Sequence, residues 1–468
     1  MSSSSGGFDV AIIGSGPGGY VAAARAGQLG LKTAIIEKDK NLGGTCLLRG
    51  CIPTKALLHT ADLYEEIQHS ADIGIVTTGV SLDWIQAQRR KGRVVLKLSK
   101  GVEFLMKKNR VQTFKGTAHI EGKGKITVTA ADGSTQEVTA KAIVIATGSV
   151  PRSLPGLEVD RKQIITSDEV LELSEIPKSM VVLGAGAVGI EFASMYKRFG
   201  TDVTVIELLP RVLPIEDQEI SAELSKSLKK QGIKVFTGAN FTSAKKNENG
   251  LSVTARVGDA DREFSAEKLL VAVGRRAYTD GLGLENTKAE IERGYIKVDA
   301  HMRTADSDVY AIGDVVPTPQ LAHVAFAEGV LAVETIAGKN PRPINYDRVP
   351  NCTYCRPEVA SVGLTEAKAR ERGYDVKVGH FPTPVIGKAQ ILGASEGMIK
   401  IVADAKYDEV LGVHIIGPLA TELIAEACAA LQLESTVEEI VQTIHAHPTV
   451  AEAFKEAAED VHDMAIHY

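Results

Sequence analysis

Two thiols stand close together in the stretch Gly43-Gly44-Thr45-Cys46-Leu47-Leu48-Arg49-Gly50-Cys51-Ile52-Pro53-Thr54-Lys55, with four residues between Cys46 and Cys51. Such a pair can open and close a disulfide and so carry two electrons. Pro53 fits the first turn of a helix running on through Lys55-Ala56-Leu57-Leu58, because the missing proline N–H is no loss there. Cys51 then opens that helix, where backbone N–H groups and the positive end of the dipole favour a thiolate. Two blander readings stay open on these residues alone: ordinary buried cysteines, or half of a zinc site. Zinc takes roughly four ligands, and no further Cys follows at ligand spacing, while His59 and His69 lie on a helix-like stretch with no second pair nearby.

A second candidate lies near the C-terminus, in His445-Ala446-His447-Pro448-Thr449-Val450-Ala451-Glu452. A histidine just before a helix, with a glutamate one turn in, reads as a general base with its orienting carboxylate. Two surface histidines beside a helix cap are the alternative. The run Cys352-Thr353-Tyr354-Cys355 invites a further redox or zinc reading, but Arg356-Pro357 and the strand-like Val359-Ala360-Ser361-Val362 follow it. With Cys428 far off on an apolar helix, these read as strand cysteines.

The elements that must position the thiols are legible on either side. Phe8-Asp9-Val10-Ala11-Ile12-Ile13 is a strand-type run, followed by Gly14-Ser15-Gly16-Pro17-Gly18-Gly19 and a helix-like stretch from Tyr20. Gly14 permits a tight turn, Gly16 lets the backbone approach a pyrophosphate, and Gly19 lets the helix pack on the strand. A second strand, Lys32-Thr33-Ala34-Ile35-Ile36, ends in Glu37, placed to hold a ribose hydroxyl. The unit recurs: Met180-Val181-Val182-Leu183 leads into Gly184, Gly186 and Gly189, and Asp202-Val203-Thr204-Val205-Ile206 ends in Glu207 at the same offset. Two such units imply two dinucleotides. A carboxylate at Glu207 accepts from a free 2′-hydroxyl and repels a 2′-phosphate, which selects NAD over NADP.

Between the units runs a polar, helix-forming stretch from about Ala56 to Asn109, its Lys and Arg residues reading as a solvated face. Lys125-Ile126-Thr127-Val128-Thr129 alternates as a strand, and Ala142-Ile143-Val144-Ile145-Ala146-Thr147-Gly148 is a buried strand mirrored by Leu269-Leu270-Val271-Ala272-Val273-Gly274. Asp308-Val309-Tyr310-Ala311-Ile312-Gly313-Asp314 delivers a carboxylate at a strand end, where ligands of parallel sheets collect, although Asp314 equally suits a cap or turn. From about Pro350 the pattern changes to alternating strands and helices, an antiparallel sheet with helices.

The whole chain, 468 residues with net charge −6, is long enough for two to four domains and has no basic block to suit nucleic acid. Five cysteines do not make a secreted disulfide scaffold. The leader Met1-Ser2-Ser3-Ser4-Ser5-Gly6-Gly7 has neither a charged start nor an apolar core, and no apolar run has the length of a membrane span. A cytoplasmic location is expected, where a Cys pair is more often catalytic than structural.

Together the two fingerprints, the Cys pair, the Gly313-Asp314 strand end and the terminal His-Pro-Thr segment resemble the flavin disulfide oxidoreductases, and within them those that oxidise dihydrolipoamide. The match spans nearly the whole chain. It implies an α/β fold with two Rossmann-like dinucleotide-binding domains and a C-terminal α+β dimerisation domain. FAD would occupy residues 1–149 and 275–349, NAD residues 150–274, and the interface domain residues 350–468. The resemblance makes Cys46 the thiol that exchanges with substrate and Cys51 the one nearest the flavin, with Asp314 on the ribityl chain. It adds Lys38, Gly44, Thr45, Lys55 and Gly148 on the FAD side and Gly274 on the NAD side. Ala322, in Leu321-Ala322-His323, opens a helix whose N–H groups face the flavin pyrimidine. Lys55 and Glu191 match an ion pair beside the flavin, where helix position alone reads both as solvent-facing. His447 and Glu452 match the base and its partner, contributed by the other subunit of a homodimer. The implied partners are lipoyl domains of acyltransferases or glycine-cleavage carriers, with neither nucleic acid nor membrane. One departure stands out: Leu48-Arg49 replaces the Asn-Val common in relatives, and Arg49 adds positive charge beside the thiols. Among related activities, glutathione-type reductases call for Arg near Glu207, mercuric reductases end in a Cys pair absent from Asp463–Tyr468, and transhydrogenase relatives lose a redox cysteine.

Overall fold

The computed structural model describes residues 7–247, 250–394 and 396–468, so all of the serine-rich leader but Gly7 lies outside the described residues. The chain forms two compact units: Met1–Leu57, Ile85–Arg152 and Arg275–Tyr346 in one, and Leu58–Trp84, Ser153–Gly274 and Asp347–Tyr468 in the other.

In the first unit the apolar run Phe8–Ile13 is a strand between two parallel neighbours, Thr33–Glu37 and Thr135–Ile145. Strand residues alternate between faces, and here both faces are apolar because both are covered. Val10 and Ile12 join one core with Ala22, Ala26 and Met106, whereas Ala11 and Ile13 join another with Phe114, Ile126 and Val138. Gln112–Lys115 and Val309–Ala311 extend the parallel sheet on its two sides. The strand Val309–Ala311 feeds a single 3-10 turn, Gly313–Val315, which presents Asp314. The long strand Thr135–Ile145 also pairs antiparallel with Lys125–Thr129, which in turn pairs with Thr117–Gly122.

The second unit repeats the design. Ser179–Leu183 lies between Asp202–Ile206 and Lys268–Val271, all parallel, with Lys234–Phe236 and Ile164–Ile165 at the edges. The C-terminal part is a five-stranded antiparallel sheet in the order Asn351–Thr353, Glu358–Gly363, Val410–Gly417, Met398–Asp404, Val376–Pro382. The helices Ala420–Gln432 and Glu452–Asp460 bury Ile424, Leu431 and Phe454 in a core with Ile399, Val413 and Ile415. This is the antiparallel sheet with helices that the composition change predicts.

The polar stretch folds mainly as two helices, Cys51–Gln68 and Trp84–Lys108. Its basic residues do not all face solvent: Lys91 is buried. The reason is spacing, since Lys91 lies one turn beyond Ala87, which is also buried, on the inward stripe of the helix.

Candidate active site

The helix Gly44–Arg49 carries Cys46, the chain breaks at Gly50, and the helix Cys51–Gln68 begins at the second cysteine. The Thr54 amide and hydroxyl both bond the Gly50 carbonyl, at 3.1 and 2.6 Å, closing a first turn that contains Pro53 as predicted. A Cβ on Gly50 would meet the Thr45 carbonyl at 3.0 Å and the Cys46 Cα at 3.3 Å, so the bare glycine lets the second helix fold back on the first. The thiols meet there. The contact with the Cys51 thiol, together with burial, pushes the Cys46 thiol far above its ordinary range, with nearby Lys55 and the Cys51 amide pulling the other way. Cys51 stands at the helix N-terminus.

This hairpin is seated on the first glycine turn. Gly44 has φ +60°, and a Cβ there would lie 2.4 Å from the Gly16 Cα. Ser15, fully buried, donates from its hydroxyl to Glu37 Oε2 at 2.5 Å and accepts the Gly43 amide at 3.1 Å. We expect Gly44→Ala to purify with well under one flavin per chain, read from the ratio of visible to protein absorbance. The left-handed backbone alone costs a residue with a side chain about 1 kcal/mol, and the contact with Gly16 adds to it; full flavin content would show that the two turns need not touch.

The two glycine turns are near copies. Gly14 and Gly184 have φ +103° and +102°, and a Cβ on either would lie 2.4 Å from a carbonyl of the neighbouring strand end, Ala146 or Ala272. Each following helix, Pro17–Gln28 and Ala187–Arg198, starts from a glycine, Gly16 or Gly186, with no side-chain cap. Gly19 and Gly189 would drive a Cβ to 1.9 and 2.0 Å from the carbonyls of Gly14 and Gly184, so the helices pack against the turns through bare backbone. Uncapped amides beside space that only glycine leaves open make a fitting cradle for a pyrophosphate. Each acid is buried and stapled to its turn: Glu37 accepts the Ser15 amide at 2.9 Å and Glu207 the Ala185 amide at 2.6 Å.

The remaining residues named on the FAD side lie in the same unit. Asp314 accepts the Ser149 hydroxyl at 2.5 Å, and Arg275 bonds that hydroxyl at 2.6 Å. Gly148 precedes the strand Ser149–Pro151, Ala322 opens the helix Ala322–Ile336 behind an uncapped Leu321, and the Lys38 ammonium lies 3.9 Å from the Tyr278 ring centre. Thr45 sits in the helix with Cys46. On the second unit Gly274 has φ +102°, immediately before the strand Arg275–Ala277.

Glu191 corrects the solvent-facing reading: it is buried in the helix Ala187–Arg198 and accepts the Tyr354 amide at 3.0 Å. That helix is covered nearly all round, so periodicity gives no outward face to find. Lys55 is half-buried. Cys355 is buried, its Sγ 3.1 Å from the Pro357 carbonyl, and burial pushes the thiol up, which fits a strand-end packing residue rather than a second redox centre.

His447 Nδ1 lies 2.8 Å from Glu452 Oε1, and Glu452 Oε2 accepts the Thr449 amide at 2.9 Å. Burial raises the Glu452 carboxyl, but these two hydrogen bonds outweigh it and hold the group below its usual range. The helix starts at Glu452 rather than a turn earlier. A bend at residues 447–448 and a turn at 450–451 precede it, and from there the carboxylate reaches both the imidazole and the Thr449 amide. The imidazole is 78% exposed on the single chain.

Three contributors escaped the sequence reading: Ser149 and Arg275, which hold Asp314, and Glu328. Glu328 is fully buried and accepts the Gly313 amide at 2.6 Å and the Tyr346 hydroxyl at 2.9 Å, fixing the turn that carries Asp314. A carboxylate inside so apolar a helix was the signal available for it.

A family model described as pyridine nucleotide-disulphide oxidoreductase matches residues 8–329, and its dimerisation domain matches residues 349–458. The chain is 49% identical to a dihydrolipoyl dehydrogenase of Bacillus subtilis, over 98% of this chain and 99% of the relative. It is 44% identical to the mitochondrial dihydrolipoyl dehydrogenase of Pisum sativum, over 98% of this chain and 92% of the relative. Among solved structures it matches LpdA from Mycobacterium tuberculosis with TM-score 0.89 and 29% identity, covering 96% of this chain and 98% of that one. The HOCl-induced flavoprotein disulfide reductase RclA from Escherichia coli, solved as a Cu(II) complex, matches with TM-score 0.86 and 26% identity, covering 97% and 99%. With family models matching residues 8–329 and 349–458 and relatives of 49% and 44% identity aligned over nearly the whole chain, the chain belongs to the pyridine nucleotide-disulphide oxidoreductase family.

Proposed function

We propose that the chain is a homodimeric, NAD-dependent dihydrolipoyl dehydrogenase that oxidises dihydrolipoamide carried on lipoyl domains of acyltransferases or glycine-cleavage carriers, in the cytoplasm. The observation that carries this reading is the Cys46–Cys51 hairpin packed directly on the first glycine turn, which puts a dithiol beside a dinucleotide cradle. Residues 1–149 and 275–349 hold FAD in this reading, residues 150–274 hold NAD, and residues 350–468 form the interface. No helix among the described residues is long and apolar enough to cross a membrane.

Bound FAD supplies the two-electron relay between dithiol and nicotinamide. The chain's own residues do the rest. His447 of one subunit, oriented by Glu452, takes a proton from a substrate thiol, and the resulting thiolate attacks Cys46 in the oxidised pair, expelling Cys51 as thiolate. The second substrate thiolate then attacks the mixed disulfide, releasing lipoamide and leaving Cys46 and Cys51 reduced. The Cys46 thiol is the one pushed up, and Cys51 sits at the helix start, where the dipole favours a thiolate. Gly14, Gly16, Gly19, Glu37, Lys38, Gly44, Thr45, Gly148, Asp314 and Ala322 line the FAD site, Lys55 and Glu191 flank it, and Gly184, Gly186, Gly189, Glu207 and Gly274 line the NAD site. Assaying the isolated protein with dihydrolipoamide and NAD, against glutathione disulfide and NADPH, tests the reading. Turnover only with the second pair would overturn it.

Glu207 sets the cofactor choice. We expect Glu207→Arg, with neighbouring changes to relieve strain, to move preference toward NADP, because the carboxylate that accepts a 2′-hydroxyl is replaced by a cation that suits a phosphate. Unchanged selectivity, measured as the ratio of kcat/KM for the two nucleotides, would mean Glu207 does not reach the ribose.

A further inference from the structure

The loop that follows Glu207 is tied down at both ends. Near the second glycine turn, the Leu213 amide donates to the Ala185 carbonyl at 2.8 Å, and the Leu209 amide to Glu207 Oε1 at 2.7 Å. Leu213 is buried with φ +41°, a conformation that a leucine holds only when its surroundings impose it. Beyond it the chain reaches Glu216 and Asp217, and both are anchored on the C-terminal part of the chain. Glu216 is hydrogen-bonded by Asn351 and Ser361. Asp217 caps the helix Gln218–Lys230 and meets Lys400.

Lys400 lies in the middle of the strand Met398–Asp404 and is 1% exposed. Its ammonium sits 3.1 Å from Asp217, 2.6 Å from Glu219 and 2.8 Å from Glu366, one carboxylate for each of its three protons. Two of those carboxylates come from the first turn of the Gln218–Lys230 helix and its cap, and the third from the helix Glu366–Glu371. Arg370 also bonds Glu366, and His380 lies 2.9 Å from Glu219. A buried ammonium with all three protons engaged ties its partners together, because removing it leaves the buried Asp217 carboxylate without its cation, while the more exposed Glu219 and Glu366 lose the group that gathers them.

We propose that Lys400 is a positioning residue for the dinucleotide at the second glycine turn: by gathering Asp217, Glu219 and Glu366 it pins the loop after Glu207 to the C-terminal antiparallel sheet. The inference rests on the reading of that turn as the NAD site. Lys400 touches no substrate; it holds the far end of the loop whose near end carries the ribose-reading carboxylate. The interface domain is thereby part of what shapes the nucleotide site.

The test uses the full-length flavoprotein dimer and two separate half-reactions, NADH binding at equilibrium and flavin reduction by dihydrolipoamide in the absence of NAD. Lys400→Met is expected to weaken NADH and raise the KM for NAD on the order of tenfold, within the usual range of coupling between sites, while flavin reduction by dithiol keeps its wild-type rate and Lys400→Arg restores most of the affinity. Equal loss in both half-reactions, or wild-type NADH affinity in Lys400→Met, overturns the inference. Should Lys400→Met yield no dimer, Glu366→Gln gives the decision, with a few-fold rise in the NADH dissociation constant supporting the inference and no change overturning it. Wild-type protein that fails to bind NADH at all would instead overturn the assignment of the second turn, and so separates the two failures.

Discussion

Cys51→Ser is expected to fold, stay yellow and lose dihydrolipoamide turnover by about 10⁴-fold or more, the scale seen when a covalent group that acts as part of a unit is removed. The loss follows from chemistry the serine cannot do, since a hydroxyl neither closes a disulfide with Cys46 nor gives up a proton at working pH. A sharper sign than rate is colour. Adding dithiol anaerobically to the wild-type protein should produce a long-wavelength absorbance from the Cys51 thiolate lying against oxidised flavin, and Cys51→Ser should lack it. Cys46→Ser should differ in kind: turnover is lost, but the remaining thiol at the helix start keeps the band without any reductant. A band that survives in Cys51→Ser would reverse the two thiols' roles.

The second large effect is expected from mixing two dead proteins. Cys51→Ser and His447→Ala should each be inactive as homodimers, yet the mixed dimer should work. A site shared between chains pairs the intact Cys51 of one subunit with the intact His447 of the other, leaving one site wholly native, whereas a site within one chain leaves both dead. The exposure of the His447 ring on a chain that carries the family's dimerisation domain is what motivates the arrangement. Random pairing makes about half the dimers mixed, each with one good site of two, so roughly a quarter of wild-type sites should return. Co-expression with two tags isolates the mixed dimer, and absence of turnover there would refute the shared site.

How much could be read from residues alone depended on the range of the interactions. The glycine turns and the cysteine hairpin were legible because their chemistry is local: strand, turn, helix and acid follow one another along the chain. The C-terminal sheet was legible from its alternation. Glu191 and Lys400 were not, because each is a charged residue buried by elements distant in sequence. Lys400 illustrates the physics: its strand packs on both faces, and only the carboxylates of Asp217, Glu219 and Glu366, brought from elsewhere, make a lysine tolerable there. Arg49, read as extra charge beside the thiols, pairs with Asp39, so part of that charge is neutralised locally.

The two glycine turns share geometry but differ by one hydroxyl. At the first, Ser15 bonds both Glu37 and the Gly43 amide, stitching the acid, the turn and the redox hairpin into one piece. At the second, Ala185 offers its backbone alone. A pocket sewn shut along one side releases its occupant slowly, because several bonds must open together, whereas a pocket held by backbone contacts can empty and refill. The asymmetry matches the different lifetimes that a resident prosthetic group and a diffusing co-substrate require. On this view, residence time is written into a single side chain, and Ser15→Ala should hasten flavin loss while leaving nicotinamide exchange untouched.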